Sequence, residues 1–123
     1  MTDLHQFVAY VVVALFAIGW IWGLGAWALK RSPGERYWLW VTVVQVSVGV
    51  QAIVGVLLFV TGKRAPQLLH YAYGIFPVLL LVGAHVYARK PEFADRPWFP
   101  FAVVAFFCFG LTLRALMTGL GVP

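Results

Sequence analysis

The chain has 123 residues, of which 63% are hydrophobic and only 11% are charged, whereas soluble domains carry about 25% charged residues. This composition excludes an ordinary soluble domain and indicates a membrane protein in contact with lipid. The formal net charge of +5 does not indicate nucleic-acid binding, because the basic residues cluster in loops between apolar segments, as membrane orientation requires.

Four apolar segments follow one another, each long enough to cross a hydrocarbon core that needs about 20 residues. We predict helices over residues 4–29, 37–60, 66–88 and 98–118, separated by short turns that hold most of the charges and several Pro and Gly residues. Short loops favour an up-down arrangement. The predicted fold is therefore all-α, a four-transmembrane-helix up-down bundle forming a single domain.

Small and polar residues in the first two helices predict close helix contacts. Gly19 and Gly23 form a GxxxG pair, which marks a contact either inside the bundle or between two copies in a homodimer. Gln45, Gly49 and Ala52 lie at i, i+4 and i+7 in the second helix and form one smooth, partly polar stripe. Such a stripe is expected to face protein rather than lipid.

Basic residues are divided unequally between the two sides of the predicted bundle. Six lie in the turns after helices 1 and 3: Lys30, Arg31, Arg36, Arg89, Lys90 and Arg96. The other side has Lys63 and Arg64, with Arg114 inside helix 4. By the positive-inside rule, both termini are expected on the outer side of the membrane.

Two histidines are predicted at similar depth near that outer side. His5 lies in the first turn of helix 1 and His70 in the second turn of predicted helix 3, so they differ by about one turn or less at about 1.5 Å per residue. Two such histidines on separate helices are what a bis-imidazole haem site needs. Lys63, Arg64 and Arg114 lie on the same side, where they would pair with haem propionates.

Small side chains near His70 predict room for a flat ligand. Gly74 lies one turn after His70 on the same helix face, and its missing side chain leaves space for the ligand's plane. The stripe of Gln45 and Gly49 is expected to form the facing wall. These residues complete the predicted haem-binding set.

Plainer interpretations of the same residues remain open. A histidine near a membrane surface can simply be hydrated or cap a helix, and Arg114 can snorkel or bond a carbonyl. His85 lies about 22 Å along the helix from His70 and belongs to the inner side, where no other histidine is present. It would need another ligand type or a second subunit to bind a second haem, and otherwise would bond a neighbouring helix or a lipid headgroup.

Three motifs support a family resemblance: Leu4-His5-Gln6-Phe7-Val8-Ala9, Gln45-x3-Gly49-x5-Gly55-Val56-Leu57 and Gln67-Leu68-Leu69-His70. Together they resemble one four-helix half of the haem A synthase family, over residues 4–86. The resemblance implies that His5 and His70 are the axial ligands of haem b or a related haem. The predicted location is a prokaryotic plasma membrane, which the four spans cross as a multi-pass protein.

Four departures from that family bear on enzymatic activity. Thr2 stands where the family's catalytic half has a glutamate, and Gln6 stands where an arginine commonly follows the histidine. The family's outer-loop cysteine pair is missing, and the chain has half the usual length. The resemblance therefore implies haem binding of the non-catalytic kind and argues against oxidation of the haem methyl group. Two copies could pair to imitate the eight-helix arrangement.

The remaining residues narrow the functional hypotheses to two. The sequence offers no nucleophile–base pair, carboxylate pair or phosphate loop, and its one cysteine, Cys108, excludes a Cys-based metal site. Its four acids lie at interfaces or in loops, which argues against a proton-coupled transporter. The leading hypothesis is a haem-binding membrane protein, not an enzyme, in electron transfer or haem handling. The alternative is a cofactor-free accessory subunit of a larger respiratory or photosynthetic complex.

Overall fold

The computed structural model describes residues 2–121, which form four α-helices and one short 3₁₀ turn. The helices are α1 (Thr2–Ala28), α2 (Glu35–Val60), α3 (Leu69–Ala88) and α4 (Phe99–Gly119), and the 3₁₀ turn is Pro91–Phe93. Each α-helix is long and apolar enough to cross a membrane. The predicted all-α four-helix bundle is confirmed, and it fits a multi-pass membrane protein.

The four helices pack as a ring in which one side is nearly open. α1 packs against α2 and α4, and α4 packs against α3, whereas α2 and α3 touch only sparsely. α1 and α3 therefore face each other across the diagonal of the ring. The end at which α1 begins and α4 ends is called the terminal end below, and the other is called the opposite end.

Helix α3 begins three residues later than predicted, at Leu69 instead of Pro66. Proline has no N–H and disfavours helical backbone in the residue before it. The chain therefore turns only after Pro66, where the His70 N–H donates to the Gln67 carbonyl at 3.1 Å in the i→i+3 pattern of a 3₁₀ turn. His70 consequently lies in the first turn of α3 and not in the second. His5 likewise lies in the first turn of α1.

The other predicted helix ends lie within two residues of the observed ones, and those at residues 60 and 88 coincide with them. α2 begins at Glu35, directly after Gly34, whose φ of 89° lies in the left-handed region that favours glycine. Offsets of this size at helix ends are ordinary and move no predicted site residue to another face.

An aromatic core closes the opposite half of the bundle. Tyr37 is fully buried, and its ring centroid lies 5.0 Å from that of Trp40. The Tyr37 hydroxyl donates to the Gly19 carbonyl at 3.2 Å, and the Trp40 indole N–H donates to the Leu15 carbonyl at 2.7 Å. Both polar ends are therefore paired with α1, as an apolar environment requires.

The GxxxG pair of α1 is used inside the bundle. Gly19 and Gly23 are both buried. The indole of Trp40 on α2 lies directly against Gly19, and Ala102 on α4 lies directly against Gly23, so neither position has room for a Cβ. Of the two contacts that the sequence left open, the one within a single chain is present.

The terminal half of the bundle is built from smaller side chains. A buried layer crosses the middle of the bundle with one residue from each helix: Val12, Val48, Pro77 and Thr112. Closer to the terminal end, the positions beyond this layer hold small residues: Ala9, Gly55, Ala115 and Gly119. Larger side chains in the opposite half set the spacing of the helices. These small residues therefore leave a cavity, whereas protein interiors are normally close-packed.

We predict that Gly19→Ala destabilises the bundle by about 1–3 kcal/mol, because the added methyl must displace the buried Trp40 ring. Thermal unfolding in detergent, followed by far-UV circular dichroism, measures the effect. Gly25→Ala is the matched control in the same helix, since Gly25 is exposed and open space surrounds it. Its added methyl is expected to be neutral or to raise Tm through helix propensity. Equal losses of Tm in both variants would contradict the close contact at Gly19.

Candidate functional site

Two histidine rings meet at the terminal end of the bundle. The centroids of His5 and His70 lie 6.0 Å apart with an angle of 74° between the ring planes. Two imidazoles on opposite sides of one metal ion have centroids about 6 Å apart, because each bond is about 2 Å and each centroid lies about 1 Å behind its nitrogen. The spacing therefore suits a single metal centre shared by α1 and α3.

The imidazole of His70 is held in one orientation by α4. Its Nδ1 lies 2.7 Å from the Ala115 carbonyl oxygen. A carbonyl only accepts, so Nδ1 carries the proton and Nε2 of the neutral ring keeps a free lone pair. Metal-binding histidines commonly donate their second N–H in this way, which fixes the tautomer and the ring orientation.

Gly119 allows this close approach of His70 to α4. A Cβ at that position would lie 2.9 Å from His70 Cε1 and 3.0 Å from Nδ1. Any larger residue would push the ring away from the Ala115 carbonyl. The glycine is therefore required by the orientation of His70.

His5 rests in a similar way on a glycine of α2. A Cβ at Gly55 would lie 3.2 Å from His5 Cε1. The Nδ1 atom of His5 is buried and has no hydrogen-bond partner among the described residues, and the same is true of Gln51 Oε1, one turn before Gly55. Unpaired buried polar atoms are costly within a bundle surrounded by lipid. Two of them at one place favour a ligand that supplies their partners.

A cavity of about 520 Å³ contains both histidines. Ligand sites in proteins commonly have volumes of about 300–1,000 Å³ and are mostly apolar with a few polar groups. All four helices contribute to its wall, and the small residues described above form much of it. The cavity therefore has the size and character of a site for a largely apolar small molecule.

Five of the eight predicted site residues line this cavity: His5, His70, Gly74, Lys63 and Arg64. Gly74 borders open space, as expected for room beside a flat ligand. Lys63 and Arg64 are exposed at the rim of the cavity. The guanidinium of Arg64 lies 3.9 Å above the centre of the Phe59 ring and donates to the Phe59 carbonyl, so it is held at that rim.

Gln45 and Gly49 do not lie at the cavity, contrary to the prediction. Gly49 is exposed with open space around it, and Gln45 lies further toward the opposite end. The face of α2 that turns inward instead carries Gln51 and Gly55. A helix that is apolar on all sides has no polar face to set its rotation, so the stripe with the inward orientation could not be selected from the pattern.

Arg114 also lies away from the cavity wall. Its guanidinium is 5.7 Å from the centre of the Tyr73 ring, and NH1 lies 3.9 Å from the sulfur of Met117. Arg114 is therefore engaged on α3 and α4 beside the site. The predicted role as a propionate partner is better suited to the two rim cations.

His85 bonds to a neighbouring helix, one of the interpretations left open above. Its Nε2 lies 3.1 Å from Gln45 Oε1, and its ring lies edge-on to Phe101 with centroids 4.9 Å apart. This bond joins α3 to α2 toward the opposite end. His85 is thus separate from the pair formed by His5 and His70.

Sequence analysis missed three residues of the site: Gln51, Gly55 and Gly119. Gln51 and Gly55 have the same i, i+4 spacing as Gln45 and Gly49, and both pairs are visible in the sequence. Gly119 gave no usable signal, because it stands at the predicted end of helix 4, where glycine is common for reasons of capping.

Comparison with known proteins identifies no relative. No family model, no curated protein and no solved structure matches this chain. The resemblance to the haem A synthase family thus stays a prediction. The function must be argued from the geometry of the site.

We predict that the neutral imidazole of His70 is protonated on Nδ1, because Nδ1 donates to the Ala115 carbonyl. Long-range ¹H–¹⁵N correlation spectra of protein labelled at histidine report the tautomer, and His70→Gln assigns the signal. Gly119→Ala is expected to shift it, since the methyl displaces the ring. The matched control is Gly110→Ala on the same helix, where open space surrounds the residue. An Nε2-protonated His70, or equal shifts in both glycine variants, would contradict this geometry.

Proposed function

We propose that this protein is an integral membrane haem-binding protein in which His5 and His70 are the two axial ligands of one haem b. The observation that carries the proposal is the 6.0 Å separation of their ring centroids across the diagonal of the bundle. Neither residue is near the other in the sequence. The fold brings the two rings together from helices on the diagonal of the bundle.

The number of available ligands favours haem over a bare metal ion. Residues 2–121 contain no group of three or more His, Cys, Asp or Glu side chains that could hold a metal ion. A structural zinc site normally needs four protein ligands and a catalytic one three. A haem iron needs only one or two from the protein, because the macrocycle supplies four nitrogens.

The surroundings of the two rings also support haem. Gly55 and Gly119 lie close to the imidazoles, and Gly74, which also lines the cavity, borders open space. The apolar wall suits a macrocycle, and Lys63 and Arg64 at the rim suit its carboxylates. The rim cations lie on the side of the bundle where the propionates of a ligand near the membrane surface would reach water.

Ligation by two imidazoles favours electron transfer or haem handling over oxygen chemistry. Haem supplies one-electron redox chemistry when bound, and its potential depends on the axial ligands and the apolar shell. If His5 and His70 both held the iron, no coordination position would remain for a substrate. We further propose, from the distribution of Lys and Arg, that the site lies at the outer side of a prokaryotic plasma membrane.

We predict that the purified protein shows Soret and alpha bands after reduction with dithionite, and that His5→Ala and His70→Ala each lose the alpha band of the six-coordinate haem. Optical spectra of the protein in detergent, with haemin added during purification, measure this. Far-UV circular dichroism confirms that each variant is still helical.

His85→Ala is the matched control for this experiment. It removes a histidine from the same helix as His70, but from the bond with Gln45 and not from the cavity. Its spectrum is expected to equal that of the unmodified protein. A colourless protein that takes up no haemin would overturn the proposal. It would favour the accessory-subunit hypothesis, for which the sparsely packed side between α2 and α3 offers a place for a partner helix.

We predict that the double variant Lys63→Gln/Arg64→Gln weakens haemin binding by about two- to fivefold at low salt, since exposed ion pairs contribute up to about 1 kcal/mol. The effect is expected to shrink as salt screens the charges. Absorbance titration with haemin measures the affinity. Arg36→Gln, at the opposite end of the bundle, is the control. An unchanged affinity in the double variant would exclude a role for the rim cations.

A further inference from the structure

The cavity has an apolar opening on the side between α2 and α3. Toward the buried middle layer, the lining residues of α1 and α4 are buried or half-buried. The lining residues that border the gap are instead exposed: Val56 by 61%, Ile75 by 57% and Val78 by 37%. Together with Ala52 and Gly74, which are also exposed, they form the rim of what is called the lateral opening below.

The loop between α2 and α3 covers the end of this gap. The Ala65 N–H donates to the Tyr71 hydroxyl at 3.0 Å, and the Tyr71 ring lies edge-on to Phe59 with centroids 5.4 Å apart. Gly121, beyond the end of α4, lies beside Pro66 of the same loop. The loop is therefore fastened to both flanking helices and to α4, so the gap is open at its side and covered at its end.

The lateral opening lies at the depth of the hydrocarbon if the helices span a membrane. Val56 lies about 6 Å along α2 from its last residue, and Val78 lies about 14 Å along α3 from its first, at about 1.5 Å per residue. Toward the opposite end, the bond between His85 and Gln45 joins the two helices. The opening is thus limited to the half of the bundle that contains the cavity.

We propose that the cavity exchanges its ligand directly with the lipid phase through the lateral opening. The ligand class is an acidic amphiphile with an apolar body, because the opening is apolar while, among residues 2–121, the only charged side chains at the cavity are the exposed cations Lys63 and Arg64. Passage through an apolar opening requires no desolvation of protein polar groups. That the amphiphile is haem rests on the proposed function above.

The test narrows the opening without touching the histidines. Val56→Trp and Val78→Trp each place a bulky side chain at its rim. The matched controls are Val46→Trp and Val82→Trp, because Val46 is 61% exposed on α2 and Val82 is 58% exposed on α3 and neither lines the cavity. Each pair therefore adds the same atoms to the same helix.

The first measurement is haemin transfer between vesicles. Phosphatidylcholine vesicles carrying haemin are mixed with vesicles carrying the protein, and the growth of the Soret band is followed in time. Val56→Trp and Val78→Trp are expected to slow both uptake and release by about tenfold or more, an increase of at least about 1.4 kcal/mol in each barrier. The controls are expected to match the unmodified protein. Unchanged rates of haemin uptake and release in Val56→Trp and Val78→Trp would overturn the proposal.

The second measurement needs no haem, so it separates this proposal from the previous one. Ala9→Cys, in a Cys108→Ala background, places a thiol on the half-buried α1 wall of the cavity. We expect an apolar maleimide dissolved in the lipid to alkylate it faster than a sulfonated maleimide in water. Val56→Trp is expected to slow the apolar reagent by about tenfold, the same barrier change of about 1.4 kcal/mol, and Val46→Trp is expected not to.

The two measurements distinguish the possible failures. If the protein binds no haemin but its thiol is reached through the lateral opening, the proposed function is wrong and the lateral opening is supported. A protein that binds haemin at the same rate in all four tryptophan variants, and whose thiol reacts faster with the sulfonated reagent, fills its cavity from the water side. That result would overturn the lateral route alone.

Discussion

The packing of α1 against Trp40 and Tyr37 sets the spacing on which the rest of the bundle depends. Glycine at position 19 lets the indole of Trp40 lie against the α1 backbone, and the Tyr37 hydroxyl bonds the carbonyl of that same glycine. These contacts hold the opposite half of the bundle at a separation suited to large aromatic side chains. Four continuous helices carry that separation to the terminal half, where many of the inward residues are alanine, glycine or histidine. The cavity is a consequence of this mismatch in side-chain volume, since protein interiors without such a mismatch are filled.

Most of the fold could be predicted from the sequence, because four apolar segments of membrane-spanning length with short loops leave few alternatives. The pairing of His5 with His70 at matched depth also followed from helix direction and length alone. The start of α3 was the exception, since Pro66 suits a first helical turn and yet the chain turns only after it. The observed start places His70 in the first turn of α3, as His5 is in α1, so the two residues lie closer in depth than the predicted helix ends implied.

The facing wall of the site could not be predicted, for a physical reason. Gln45 with Gly49 and Gln51 with Gly55 have the same spacing, and an apolar helix in lipid has no solvent face to decide which pair turns inward. Tertiary contacts set the rotation of α2 about its axis. Burial of Trp40 and Val44 on this helix brings Val48 and Gln51 toward the centre of the bundle. The role of Gly119 could not be predicted for a similar reason, because it depends on the His70 ring, which approaches from another helix.

The sparse contact between α2 and α3 and the histidine pair on α1 and α3 are two aspects of one arrangement. A bundle with four equally tight sides would press the small residues of its terminal half together and fill the cavity. One loosely packed side lets α2 and α3 stay apart, so the rings of His5 and His70 keep a separation of 6.0 Å with space between the helices around them. The bond between Gln45 and His85 joins α2 to α3 toward the opposite end. The cavity and its lateral opening thus follow from the same uneven packing of the four helices.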